Sequence, residues 1–250
     1  GYEILMILDG ELLLYNEGDA QKLTKGDLVL LDEFEFHRAN LITREVYDRV
    51  VINVRKEKVQ SLSSPKTDLL TCFKMRPDSK LNILHLDEDE LLHFVTGAQR
   101  LEAALQDRRF GAEILADASL TEILVQINRI MKKGKPWERE QMMPEVVAKA
   151  FNYIEAHIAD DLSMAVLQSE LQYNGTYISR CFKQTLGMPI QKYIIAKRIS
   201  VAQKLLREGE TPYNVCFLAG FSNYSNFSRT FHQHIGKSPR AYRDEVLGKK

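Results

Sequence analysis

Eight positions of this chain recur at one constant offset. Asn174, Ile178, Ser179, Arg180, Phe182, Gln184, Gly187 and Tyr193 return 49 residues later as Asn223, Phe227, Ser228, Arg229, Phe231, Gln233, Gly236 and Tyr242. A chain with this pattern has to build one local structure twice. In the first copy, Leu162, Met164, Leu167 and Leu171 fall on one helical face, and a turn follows at Gln172-Tyr173. Asn174 then sits where its side chain can accept a backbone N–H at the start of a second helix. On that helix Ile178, Cys181 and Phe182 share a core-facing stripe. Thr176, Ser179, Arg180 and Lys183 share the opposite stripe through i, i+3, i+4, i+7 spacing. The second copy has Asn223 as cap, Phe227, Thr230 and Phe231 towards the core, and Ser225, Ser228, Arg229 and His232 outward, with Tyr224 beside them.

A small, polar, basic stripe lets a helix lie deep in a major groove. Arginine there donates two hydrogen bonds to guanine, and serine or threonine meets a base edge or a thymine methyl. Between the two copies, PIQKYIIAKRISVAQKLLREG reads as one helix with Pro189 near its start and Gly209 past its end. About seventeen residues at ~1.5 Å each give a rod of roughly 26 Å, comparable with the ~34 Å between major-groove faces one DNA turn apart. The spacing therefore predicts double-stranded DNA as partner, read by Thr176, Ser179, Arg180, Lys183, Tyr224, Ser225, Ser228, Arg229 and His232. The bland alternative for a lone arginine is solvated surface, and for these serines and threonines a merely polar face. Lys183, Lys192, Lys197, Lys237 and Arg240 read as phosphate contacts or solvated charges. Arg198 has two readings, a phosphate ligand or one partner of an ion pair that fixes the two halves. Phe182, Phe227 and Phe231 fall behind the polar stripe, in the core.

Net charge is zero, but unevenly spread. Residues 1–144 hold 20 basic against 25 acidic side chains, and residues 145–250 hold 14 against 9. The basic second half suits a polyanion without identifying one. Cys72, Cys181 and Cys216 have no zinc-type spacing and suit free thiols in a reducing cytoplasm. No apolar run has the length of a membrane span, and GYEILMILDGELLLY lacks a signal peptide's basic leader. A cytoplasmic protein is expected, and Gly1, inside a strand-like run, leaves open whether residues precede it.

From Tyr2 to about Val54 the period is that of strands: Tyr2 to Leu8, Leu12 to Tyr15, Leu28 to Leu31 and Val46 to Val54, with turns at Asp9-Gly10 and Asn16 to Asp19. Asp-Gly between apolar runs predicts a hairpin, and the strand density predicts a sandwich or small barrel. From Asp87 the period becomes helical. One segment carries Leu91, Leu92, Val95, Leu101 and Leu105, and the next Ile114, Leu115, Ile123, Leu124, Ile127, Ile130 and Met131. The stripe from Ile123 to Met131 suits either ordinary core or a helix packed on a second subunit. Residues 134–143, with Gly134 and Pro136, read as a linker.

GYEILMILDGELLLYNEGDAQKLTKGDLVLLDEFEFHRA resembles the cupin-type sensor domains of bacterial regulators, through the Gly-Glu after the first strand, Lys25-Gly26-Asp27 and His37. The resemblance implies a small-molecule effector, with Tyr15 and His37 as candidate contacts. A metal-dependent cupin enzyme, an isomerase or oxygenase fused to a helical domain, is the alternative; it needs a close His pair before Glu3, which the sequence does not contain. His85 and His93, eight apart on what reads as one helical side, lack a third ligand. For His37 the alternative is a strand-end histidine hydrogen-bonded within the barrel. No catalytic residue, cofactor or metal is expected. A cysteine-dependent alkyl-transfer repair protein is disfavoured because its Cys residues would be buried.

Residues 144–245 resemble the DNA-binding domain of the AraC/XylS family, through ISRCFKQTLGMPIQKYIIAKRISVAQKLL and VCFLAGFSNYSNFSRTFHQHIGKSPRAYR. Gln168 stands where that family usually has Ala, Gln172 where it has Gly, and His232 where it has Lys. The resemblance implies an α+β chain of two domains: a small cupin-like β-barrel with a helical dimerisation segment (1–133), then an all-α double helix-turn-helix domain (144–250). It also implies an effector-controlled regulator, most often an activator touching RNA polymerase, that works as a homodimer and commonly senses a carbohydrate. A regulator controlled by a protein partner is the remaining alternative.

Overall fold

The computed structural model describes residues 1–16, 19–32, 37–42, 47–74, 82–133 and 142–248. Most of the expected linker, residues 134–141, lies outside them. The chain divides into two compact units, Gly1–Met142 and Met143–Lys250.

In the first unit, β1 (Tyr2–Asp9), β4 (Asp27–Leu31), β6 (Asp48–Val54) and β7 (Asn82–His85) form one antiparallel sheet in the order β6-β1-β4-β7. β2 (Leu12–Asn16), β3 (Asp19–Leu23) and β5 (His37–Leu41) form a second, in the order β3-β2-β5. The apolar run of β1 is continuous because both its faces are covered. Leu5 and Ile7 pack with Leu12, Leu14 and Leu23 of the other sheet. Tyr2, Ile4 and Met6 pack towards Phe94 of the helix Glu88–Gln106 and Leu120, Ile123 and Leu124 of the helix Ala112–Lys132. Among the described residues the strands make two open sheets and not the closed barrel expected from sequence. Asp9-Gly10 is likewise no hairpin, since β1 and β2 belong to different sheets. Gly10, at φ 88°, turns the corner from one to the other. β2 pairs instead with β3, Asn16 standing opposite Asp19.

Lys25-Gly26-Asp27 has a structural reason. The buried Asp27 carboxylate accepts from the Thr24 backbone N–H at 2.7 Å and lies 2.7 Å from His85 Nδ1. It thereby ties the start of β4 to the end of β7. His85 is thus a strand residue, and the helical pairing with His93 does not form.

The helices are α1 (Lys56–Leu62), α2 (Thr71–Lys74), α3 (Glu88–Gln106) and α4 (Ala112–Lys132). α3 starts where the sequence changes period, at a capping box in which Asp87 accepts from Glu90 N–H and the Glu90 carboxylate answers the Asp87 N–H. Ile123, Leu124, Ile127 and Ile130 are buried in the core of their own chain, with Met131 against it. Of the two readings of that stripe, ordinary core is the one observed.

The second unit consists of α5 (Glu145–Ala156), α6 (Met164–Leu171), α7 (Gly175–Leu186), α8 (Ile190–Arg207), α9 (Pro212–Leu218), α10 (Tyr224–Ile235) and α11 (Pro239–Val246). Side chains of Ser163, Asn174, Thr211, Asn223 and Ser238 cap five of them. Gly187 and Gly236 end the two repeated helices in the left-handed region. Two aromatic cores result. In the first, Phe182 meets Phe151 at 5.2 Å and Tyr193 at 5.5 Å. In the second, Phe231 meets Phe227 at 5.7 Å and Tyr242 at 5.6 Å. The Phe–Tyr pair therefore recurs at the same offset and nearly the same distance. α8 serves both cores, sending Tyr193 into the first and Ile199, Ala202 and Leu206 into the second.

Gln172, which takes the usual glycine's place, is the one described non-glycine residue with positive φ, at 57°. It is exposed, and its amide donates to Ser169 O. Gln172→Gly should relieve the left-handed strain and raise the stability of this unit by up to about 1 kcal/mol, read from urea melts.

Candidate nucleic-acid interface

The repeated helices α7 and α10 begin at the caps read from sequence. Asn174 Oδ1 accepts from Thr176 N–H at 2.9 Å, and Asn223 Oδ1 from Asn226 N–H at 2.8 Å. From these caps the exposure pattern matches from Thr176 to Gln184 and from Ser225 to Gln233. Ile178 and Phe182, like Phe227 and Phe231, are buried. Thr176, Arg180 and Lys183 are exposed, as are Ser225, Arg229 and His232, while Ser179 and Ser228 are both half-buried at the edge of the stripe. Cys181 and Thr230, placed in the core stripe by their spacing, are also both half-buried. Two amphipathic helices thus present the same outward face in the same phase.

Each arginine is steadied by the residue three positions earlier, one turn back on its own helix. The Arg180 guanidinium lies 5.6 Å from the centre of the Tyr177 ring. Arg229 Nη2 donates to Asn226 Oδ1 at 3.2 Å. Tyr177 and Asn226 themselves stand 49 apart, so the support recurs with different chemistry: an aromatic face in one copy, an amide oxygen in the other. Sequence reasoning missed both, although the i, i+3 spacing was there to find. Tyr224 is 37% exposed at the first position of α10, 6.0 Å from Phe227 and 6.5 Å from Tyr213.

The other basic residues separate. Lys197 is packed against Glu155 at 3.5 Å, Lys237 is bonded to Glu245, and Arg240 lies 3.8 Å from Asp244. Lys183 and Lys192 are exposed. Arg198 takes a tying role through backbone carbonyls in place of the expected ion pair: its Nε donates to Ile158 O at 3.0 Å and its Nη2 to Asp160 O at 2.7 Å. Burial holds its guanidinium below the ordinary arginine value, and both bonds end on carbonyls of the α5–α6 connection.

In the first unit, His37 Nε2 lies 3.7 Å from Glu3 Oε1. His37 is opposite Asn16, and Tyr15 opposite Arg38. Because side chains alternate along β2, Asn16 shares a face with Leu12 and Leu14 towards the other sheet, and Tyr15 points away from it. The structure therefore does not bring Tyr15 and His37 together. Burial pushes the Cys72 thiol up to about 12, and Cys216 is raised for the same reason. Neither is a thiolate at neutral pH. Among the described residues no three His, Cys, Asp or Glu side chains gather to hold a metal ion, and no helix is long and apolar enough to cross a membrane.

Residues 167–245 match the family model described as a helix-turn-helix domain. The chain is 21% identical over 250 residues to an uncharacterised HTH-type transcriptional regulator of Staphylococcus aureus (strain MRSA252), covering 98% of this chain and 32% of that protein. It therefore spans about a third of the length of that relative. It is 35% identical over 92 residues to the probable transcriptional regulator LumQ of Photobacterium leiognathi, covering 36% of this chain and 37% of LumQ. Among solved structures it is similar to a Chromobacterium violaceum transcriptional regulator titled as an AraC-type DNA-binding domain-containing protein. That likeness has a TM-score of 0.38 at 26% identity, over 42% of this chain and 95% of the other. With the capped, duplicated helices already in place, residues 167–245 form a helix-turn-helix domain of the AraC type.

Proposed function

We propose that the chain is a sequence-specific transcription regulator that reads two successive major-groove segments of one DNA duplex, α7 entering the first and α10 the second. The observation that carries this reading is the matched outward face of the two helices, each with its arginine exposed and steadied from the preceding turn. In this reading Arg180 and Arg229 donate to guanine edges. Thr176, Ser179, Ser225 and Ser228 meet neighbouring bases, and Lys183, Tyr224 and His232 hold phosphates. α8, eighteen residues long, is a spacer of roughly 27 Å at ~1.5 Å per residue.

The first unit is proposed as the sensor. A small molecule, of the carbohydrate class by family resemblance, would bind in this cupin-like domain, with His37 at the inter-sheet face as a contact. Tyr15 would take part only in a site on the other face of its sheet. Effector binding would shift an equilibrium between states of a cytoplasmic homodimer, with activation through RNA polymerase as its outcome.

Arg180→Ala and Arg229→Ala should each cost about 1–3 kcal/mol on the cognate operator and far less on random DNA, measured by titration at fixed salt. Equal losses on both DNAs would mean that the arginines touch phosphate, and the base-reading role would fall.

A further inference from the structure

Strand β6 is the outer strand of its sheet, paired on one side with β1 and, among the described residues, with nothing on the other. A row of open backbone donors and acceptors invites another strand, and natural edges are usually blunted by lysine, proline or a bulge. The middle of β6, Val50-Val51-Ile52, has none of these. Beside the edge runs a groove of about 600 Å³, walled by Leu8 of β1, Val50 and Ile52 of β6, and Val95, Leu101 and Leu105 of α3. Leu105 is 70% exposed and Val51 39%.

A strand filling this groove must carry apolar side chains at every second position on the helix side. β6 itself has that spacing. A two-fold axis perpendicular to the sheet, passing through Val51, would set Val50 of each copy opposite Ile52 of the other, with both side chains over the groove. The charges agree with this arrangement. Arg49, donating to the Tyr47 hydroxyl at 2.9 Å, keeps its charge and would fall opposite the neutral Asn53 of the mate, with Asp48 opposite Val54. Arg55 and Lys56 follow the other end, so antiparallel pairing brings Asp48 of each copy next to Arg55 of its mate and sets no like charges directly opposite.

We infer that two copies of the chain join edge to edge through β6, pairing antiparallel about Val51 and fusing two four-stranded sheets into one of eight. This rests on the homodimer in the proposed function and assigns its seam.

The test uses the full chain with Cys181→Ser as background. In Val51→Cys the two copies of residue 51 face each other at a cross-strand Cα separation of ~4.5–5.5 Å, within disulfide range. Mild oxidation should therefore yield a covalent dimer on a non-reducing gel. Asn53→Cys places the two thiols about four strand positions apart, ~13 Å, and should stay uncrosslinked. Val51→Lys sets two ammonium groups across the axis. It should raise the dimer dissociation constant at least about tenfold by sedimentation, with the melting curve unchanged at concentrations where both proteins are monomeric, and Val51→Thr should leave the constant nearly unaltered. A dimer that ignores Val51→Lys and does not crosslink through residue 51 would overturn the seam and leave dimerisation standing. A chain that stays monomeric at micromolar concentration would overturn both.

Discussion

Gly220→Ala should unfold or cripple the DNA-binding unit, at a cost of about 3 kcal/mol or more. Gly220 has φ +82°, in the left-handed region, and a Cβ built there would lie 2.3 Å from Ile158 O and 2.8 Å from Arg198 Nε. The first of these is backbone and has little freedom to move. The second is the guanidinium that holds the same carbonyl, so relieving the clash means giving up the tie between α8 and the α5–α6 connection. Gly175→Ala is the matched control. Its Cβ would meet Gln168 Oε1 at 2.4 Å and Met164 Cγ at 2.8 Å, both on flexible side chains, and its backbone is already helical. A cost below about 1 kcal/mol is expected there. Parallel urea melts check the pair; similar costs for the two glycines would refute the backbone-clash account.

Phe182→Ala should cost about 3–5 kcal/mol, because the side chain is fully buried and the void it leaves is bounded by two large rings that pack on each other. A domain has only about 5–15 kcal/mol in all, so the reading helix α7 would lose its seat in a substantial fraction of molecules. Calorimetry should show the transition of the second unit moving down while that of the first stays in place. DNA affinity should fall although no outward residue has changed.

The second unit was legible because each of its signals points the same way. Asn174 and Asn223 cap, Gly187 and Gly236 terminate, and the phenylalanines keep a helical period between them, so local preference and packing agree. Arg198 was ambiguous in sequence because its partners are backbone carbonyls, which carry no residue signature. The first unit was harder to read for an identifiable reason. β3 carries Asp19 and Gln21, both buried, and a strand whose polar residues face inward breaks the alternation that marks strands. β7 hides Asn82 in the same way, its amide donating to Cys72 O at 2.6 Å. β1 shows no alternation at all, since both its faces are covered. The Asp9-Gly10 signal was genuine as a turn, but a turn does not specify whether the next strand pairs with the last or crosses to another layer.

The rod shared by the two small cores sets a rule of phase. A helix advances about 100° per residue, so one residue inserted between Tyr193 and Ile199 would swing the second arginine a quarter-turn or more out of line with the first, while leaving each aromatic nest intact. If both helices read one duplex as proposed, its pitch fixes the length of that rod, and a functional lengthening would have to come in steps that restore the original bearing.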